Sequence, residues 1–203
     1  SRLEYAPLWG GESQPELGDG DRVRTAMGVT EATVVVLYAG ALGATQDVQV
    51  LVEALALQPP EVATSLECWI LGSGVAEADL REMVERLPAT APTVRILGRR
   101  PTSEMPDWLA ASDLCFVGLR PDDHARYSMP SKVQTIVAMG KPVLASVPGD
   151  VDALVLSEGF GLSSGGLGAR ALAVEVAKAA DMGRMGLRRM GQRGAEFYAA
   201  EWT

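Results

Sequence analysis

Short apolar runs rich in β-branched residues alternate along this chain with stretches whose apolar residues recur at helical spacing. The runs are Thr33–Ala39 (TVVVLYA), Leu66–Leu71 (LECWIL), Thr93–Leu97 (TVRIL), Asp113–Leu119 (DLCFVGL) and Pro142–Val147 (PVLASV). A strand with one wet face alternates apolar with polar, whereas a strand covered on both faces does not. These runs therefore read as strands of a parallel sheet. Between them, Val48, Leu51, Val52 and Leu55 line one side of a helix, then Leu80, Met83, Val84 and Leu87, then Leu109 and Ala110. Asp47, Thr102, and Pro130 with Ser131 stand where a cap or a first-turn proline belongs. A further helix is expected over Ser131–Met139, stopped by Gly140 at C′ ahead of Lys141 and Pro142.

Strand and helix repeat about six times, which predicts an α/β fold: a doubly wound, Rossmann-like parallel sheet of about six strands with helices on both faces. Beyond the flexible turn at 163–169 (SSGGLGA), two C-terminal helices are expected, Ala171–Asp181 and about Arg184–Trp202. Residues 1–32, with Pro7, Gly10, Gly11, Pro15, Gly18 and Gly20, read as a linker that begins in mid-protein, and 33–203 as the domain. In such sheets the ligand lies beyond the carboxyl ends of the strands, where the strand order reverses. With the order 3-2-1-4-5-6, that reversal falls between strands one and four.

Composition narrows the partner. The chain has 203 residues, 47% of them hydrophobic, and a formal net charge of −8. It has no basic run, so a nucleic-acid backbone is not an expected partner. Arg184–Arg193 reads as the polar face of a terminal helix rather than a lipid contact. No apolar run is long enough to span a bilayer and no signal pattern opens the chain, which places it in the cytoplasm. Cys68 and Cys115 lie apart inside apolar runs and read as core thiols, not a disulfide or metal pair.

Three loops hold candidate chemistry. Gly40 to Asp47 (GALGATQD) follows a strand and precedes a helix, so Gly40 and Gly43 either bring backbone N–H groups to an anion or simply make the turn. The stretch from Arg120 to Met129 is long for a connection and opens a helix at Pro130, Ser131 and Lys132. There the amides, a hydroxyl and a point charge suit a diphosphate, the alternative being an ordinary helix start with a solvated lysine. His124 reads as solvated sooner than as a base, and Asp122 with Asp123 offers no strong metal pair. Gly98, Arg99, Arg100 and Pro101 offer backbone to a base edge and arginines to a phosphate, or a solvated pair.

These segments together resemble the C-terminal domain of family 4 glycosyltransferases, whose GT-B fold sets two Rossmann-like domains face to face. The matching stretches are YAGALGATQDVQVLVEAL (Tyr38–Leu55), WILGSGVAEADLREMV (Trp69–Val84), VRILGRRPTSEMPDWLAASDL (Val94–Leu114), MPSKVQTIVAMGKPVLAS (Met129–Ser146) and SEGFGL (Ser157–Leu162). The resemblance implies that this half binds a nucleotide diphosphate sugar for retaining transfer, as in polysaccharide biosynthesis, and that an N-terminal acceptor domain is missing. It also implies no cofactor and no metal. Gly40 and Gly43 would lie against the diphosphate and Gly98 near the base. Pro130, Ser131 and Lys132 would close on the phosphates and sugar, with Lys132, then Arg99, stabilising the departing diphosphate. Many members carry two glutamates eight positions apart at the donor, where this chain has Tyr127 and Thr135. Many also place an Arg and a Lys in the first loop, where this one offers Leu42 and Gln46. Two other functions stay open: a nucleotide-sugar binding module without transferase activity, and a GT-B-fold sugar-nucleotide epimerase.

Overall fold

The five apolar runs form five strands, and a short sixth completes the sheet. The computed structural model describes residues 18–121 and 130–202. Its strands are β1 (Val34–Ala39), β2 (Leu66–Leu71), β3 (Thr93–Gly98), β4 (Leu114–Gly118), β5 (Val143–Ser146) and β6 (Gly161–Ser163). All pair in parallel, in the order β3-β2-β1-β4-β5-β6. Strand order therefore reverses between β1 and β4, as it does in the 3-2-1-4-5-6 case.

The described helices are α1 (Gly20–Met27), α2 (Val48–Ala56), α3 (Pro60–Ala63), α4 (Glu77–Glu85), α5 (Met105–Ala111), α6 (Ser131–Ala138), α7 (Asp150–Ser157) and α8 (Ala169–Glu201). One face of the sheet packs on α2, α4 and the first part of α8 through Leu51, Leu55, Leu80, Leu172 and Val176. The other packs on α1, α5, α6 and α7 through Val23, Leu109, Val133, Val137, Val151 and Val155. Helix α6 ends where Gly140 takes φ of 63°, as expected of C′. Cys68 and Cys115 are buried and free. Burial pushes both thiols up, so neither is a nucleophile.

Several local expectations are corrected. Asp47 occupies the N-cap position of α2, but its side chain makes no capping bond and its φ is 44°. Thr102 starts a single 3-10 turn ahead of α5, again without a side-chain cap. Inside the stretch read as linker, α1 is a capped helix: Asp19 accepts from the Arg22 amide, and Gly28 ends it in the left-handed region. The half-buried aromatic residues of the C-terminus pack within this chain. Phe197 packs on Phe160 at 5.5 Å, and Trp202 stands edge-on to Phe197 and Tyr198.

A buried polar cluster ties α1 and α8 to the sheet. Asp113, just before β4, accepts from the Val35 amide (2.9 Å), from Arg24 Nη1 (3.1 Å) and from Arg184 Nε (2.9 Å). Arg24, 4% exposed, also donates to the carbonyls of Ala111, Thr30 and Thr33.

Helix α8 packs first on α2 and later on α6, so it must turn as it passes from one face to the other. The turn is at Gly183, with φ 60° and ψ 176°, a region essentially reserved for glycine. A Cβ there would meet nothing within 4 Å, so a side chain is opposed by the backbone alone. Gly183→Ala is accordingly expected to cost about 1–3 kcal/mol, measured as a lowered urea midpoint with unchanged slope. An unchanged midpoint would mean that α8 need not break there.

Candidate functional site

The chain between β1 and α2 is stitched to its neighbours. Gly40 N donates to Leu71 O (3.0 Å), Leu42 N to Ser73 O (3.0 Å) and Ala76 N to Leu42 O (2.9 Å). The Leu42 side chain is wholly buried. These amides hold the β2 loop in place and are not free for an anion. Gly43 lies beneath Gln46, whose Oε1 is 2.5 Å from where a Cβ would stand. Arg120 N donates to Thr45 O (2.9 Å), pinning this loop to the exit of β4. The structure thus brings the two predicted site loops together, by way of Thr45 and Arg120 rather than the glycines of the first loop.

Helix α6 opens on the same crevice. Pro130 stands at its N-cap without a side-chain bond, and Ser131 is exposed. Lys132 reaches back across the end of the sheet to Tyr38, in the penultimate position of β1. Its Nζ lies 4.5 Å from the ring centroid and 3.5 Å from Oη. A Cβ on Gly40 would stand 2.9 Å from that Nζ and 3.1 Å from Tyr38 Oη, so a side chain there would push the ammonium aside. Tyr38 in turn donates its own proton to Ala41 O at 2.5 Å.

The chain has three lysines. Lys178 pairs with Glu175, and Lys141, in the AMGKPV turn, donates to the carbonyls of Ala110 and Ser112 at the end of α5. Lys132 has no carboxylate partner among the described residues. Burial lowers its pKa from 10.5 to about 8. Burial also raises that of Tyr38, which stays a neutral phenol. The positive end of the α6 dipole lies at the same point. A cation with no carboxylate beside it among the described residues, half-buried at a helix N-terminus and at the reversal of strand order, is an arrangement suited to an anion.

The remaining candidates are more scattered. Thr135 is half-buried one turn beyond Lys132, hence on the same side of α6. Gly98 takes φ of 71° with open space about it, and its carbonyl accepts from Gly72 N. Arg99 is exposed and unpaired among the described residues, whereas Arg100 stacks over Trp108 at 5.4 Å. Two strand spacings, roughly 10 Å, separate this loop from β1. Tyr127, like Asp122, Asp123, His124 and Met129, lies outside the described residues. Among the described residues, no group of three or more His, Cys, Asp and Glu comes together. Tyr38 is the residue that sequence reasoning missed. Its signal was an aromatic directly before the glycine loop, hidden in a run that reads as core.

The family model for glycosyl transferases group 1 matches residues 33–180. The chain belongs to this family.

Solved structures agree on the fold. WaaG, a glycosyltransferase involved in lipopolysaccharide biosynthesis, superposes with a TM-score of 0.74 at 15% identity, over 92% of this chain and 48% of its own. Anabaena HepE in complex with UDP gives 0.73 at 21% identity, over 90% and 48%. The C-terminal domain of a group 1 glycosyl transferase, LpcC from Francisella tularensis, gives 0.71 at 12% identity, over 93% and 95%. The chain therefore spans about half the length of WaaG and HepE, and nearly all of the isolated C-terminal domain. No curated protein matches it in sequence. The architecture is that of a GT-B C-terminal domain, as the motifs imply. Among the described residues, no helix is long and apolar enough to cross a membrane.

Proposed function

We propose that this domain binds the nucleotide diphosphate sugar of a retaining glycosyltransferase, with the diphosphate on Lys132 and the amino end of α6. The observation that carries the reading is the Lys132 ammonium, without a carboxylate partner among the described residues and held over Gly40 at the β1/β4 reversal. Bond cleavage at the sugar places new charge on the diphosphate, and a fixed cation with a helix dipole in a partly desolvated crevice stabilises that charge. Ser131 adds a hydroxyl at the helix start. Arg99, unpaired beside Gly98, lies on the side of the crevice assigned to the nucleoside. Thr135 supplies a hydroxyl to the sugar or ribose where many relatives use a carboxylate. HepE was solved with UDP and with UDP-glucose, which makes uridine the first nucleotide to try.

In this reading the acceptor, whether saccharide, lipid-linked or small, meets an N-terminal domain outside this chain, which alone transfers nothing. The cytoplasmic setting and a role in polysaccharide assembly belong to the same proposal. Calorimetry with UDP, GDP, dTDP and ADP tests it. One of them is expected to bind the chain, and no heat from any would remove the reading.

The pH dependence has a definite sign. The Lys132 ammonium titrates at about 8 in the free domain, and a bound diphosphate raises that value. Above pH 8 binding must therefore take up a proton. Affinity for UDP is expected to be level between pH 7 and 7.5 and then to fall towards pH 9. The range stays above the terminal phosphate's own titration near pH 6. Titrations in buffers of matched ionic strength check this, and an affinity constant across the range would exclude Lys132 as the phosphate ligand.

A further inference from the structure

We infer that Tyr38 is the positioning residue for Lys132: it holds the lysine ammonium over Gly40, without neutralising it, where the diphosphate is to lie. The inference rests on the donor-binding reading above and concerns a residue that the glycosyl-transfer motifs leave as plain core. A lysine on a helix surface has four rotatable bonds and samples many directions, and ordering it on a ligand costs entropy. A carboxylate partner would fix it but would also cancel its charge and compete with the phosphates. Tyr38 fixes it otherwise. The ring face attracts the cation at 4.5 Å, and the hydroxyl oxygen stands 3.5 Å from Nζ.

The polarity of the contact is set from behind. The phenol proton is directed to Ala41 O at 2.5 Å, so the oxygen presents lone pairs, not its proton, to the ammonium. The ring itself is wholly buried and leans on Phe116 at 6.3 Å, so it does not move with the loop. Gly40 completes the device by omitting the Cβ that would collide with Nζ. At most one of the three ammonium N–H groups is taken by Tyr38, and the others remain for phosphate oxygens. The hydrogen-bonded order is thus Lys132 to Tyr38 to Ala41, from a helix on one face to the mouth of the first loop.

The test separates this contact from nucleotide binding. In the chain labelled in its lysine side chains, with no nucleotide present, the Tyr38 ring current is expected to move the Lys132 Cε protons upfield of those of Lys178. Tyr38→Leu should abolish that displacement and Tyr38→Phe should keep it. By calorimetry with UDP, Tyr38→Leu is expected to weaken binding about tenfold in the wild-type background and not at all in the Lys132→Met background. Tyr38→Phe, which preserves the buried shape should the leucine variant fail to fold, should weaken binding about threefold under the same condition.

A merely structural tyrosine would lower affinity by the same factor in both backgrounds, and that outcome overturns the inference. So do Lys132 signals that coincide with those of Lys178 in the wild type. A displaced Lys132 signal in a chain that binds no nucleoside diphosphate overturns the donor-binding reading and the inference with it, while the contact itself stands.

Discussion

Lys132→Met is expected to weaken UDP binding by roughly 10- to 150-fold while raising the melting temperature of the domain at pH 7. The first effect follows from removing the lysine at the crevice, which has no carboxylate partner among the described residues. Hydrogen bonds to charged groups contribute about 1.5–3 kcal/mol, and each 1.4 kcal/mol is about a factor of ten in affinity. Methionine keeps the length of the side chain and packs well against an aromatic ring, so the change isolates the charge. The second effect follows from the sign of the pKa shift. The folded value, about 8, lies below the unfolded 10.5, so the unfolded chain binds more protons between those values. The folding cost of Lys132 is therefore present in full below pH 8 and is relieved as pH rises towards 10.5. A neutral residue has no such cost at pH 7. Calorimetry and thermal unfolding read the two effects separately. Lost affinity with lost stability would indicate a damaged fold, and gained stability with intact affinity would place the phosphates elsewhere.

The largest effect on stability is expected at Asp113. Asp113→Ala removes the acceptor of three bonds, from Val35 N, Arg24 and Arg184, and leaves the buried Arg24 guanidinium without its counter-charge. Breaking one side of a buried pair costs about 3–5 kcal/mol, whereas replacing both sides by apolar residues of similar volume is far milder. Against the 5–15 kcal/mol or so that holds a typical domain together, the single change is severe. Urea denaturation of Asp113→Ala and of the double variant Arg24→Met with Asp113→Leu checks both halves. Equal destabilisation in the two would mean that leaving Arg24 without its counter-charge is not the dominant cost.

The sheet was legible because its strands are apolar runs suited to cover on both faces, whereas its order entered only as the Rossmann-like case and is fixed by the pairing of β1 with both β2 and β4. Helix α1 was not. Its sequence, GDRVRTAM, is polar and set among glycines, and it is held by Asp19 at its start and by Arg24 reaching Asp113, 89 residues away. Strand β6 is three residues long, too short for any period to show.

At the site, Lys132 was legible as a lysine at a helix start following proline and serine. The role of the first loop was read too simply, because two glycines suggest free amides, whereas the Gly40 and Leu42 amides bond to Leu71 and Ser73. Tyr38 was invisible for a physical reason. A tyrosine in a buried strand looks like core, and only the fold sets it against a lysine 94 residues on.

The central claim is that a nucleotide diphosphate binds at the β1/β4 reversal through Lys132, and a crystal structure of the chain with UDP tests it most directly. The account predicts phosphate oxygens within about 3 Å of Lys132 Nζ, above Gly40 and at the first turn of α6. UDP bound away from that crevice, or bound within it while Lys132 makes no phosphate contact, would contradict it.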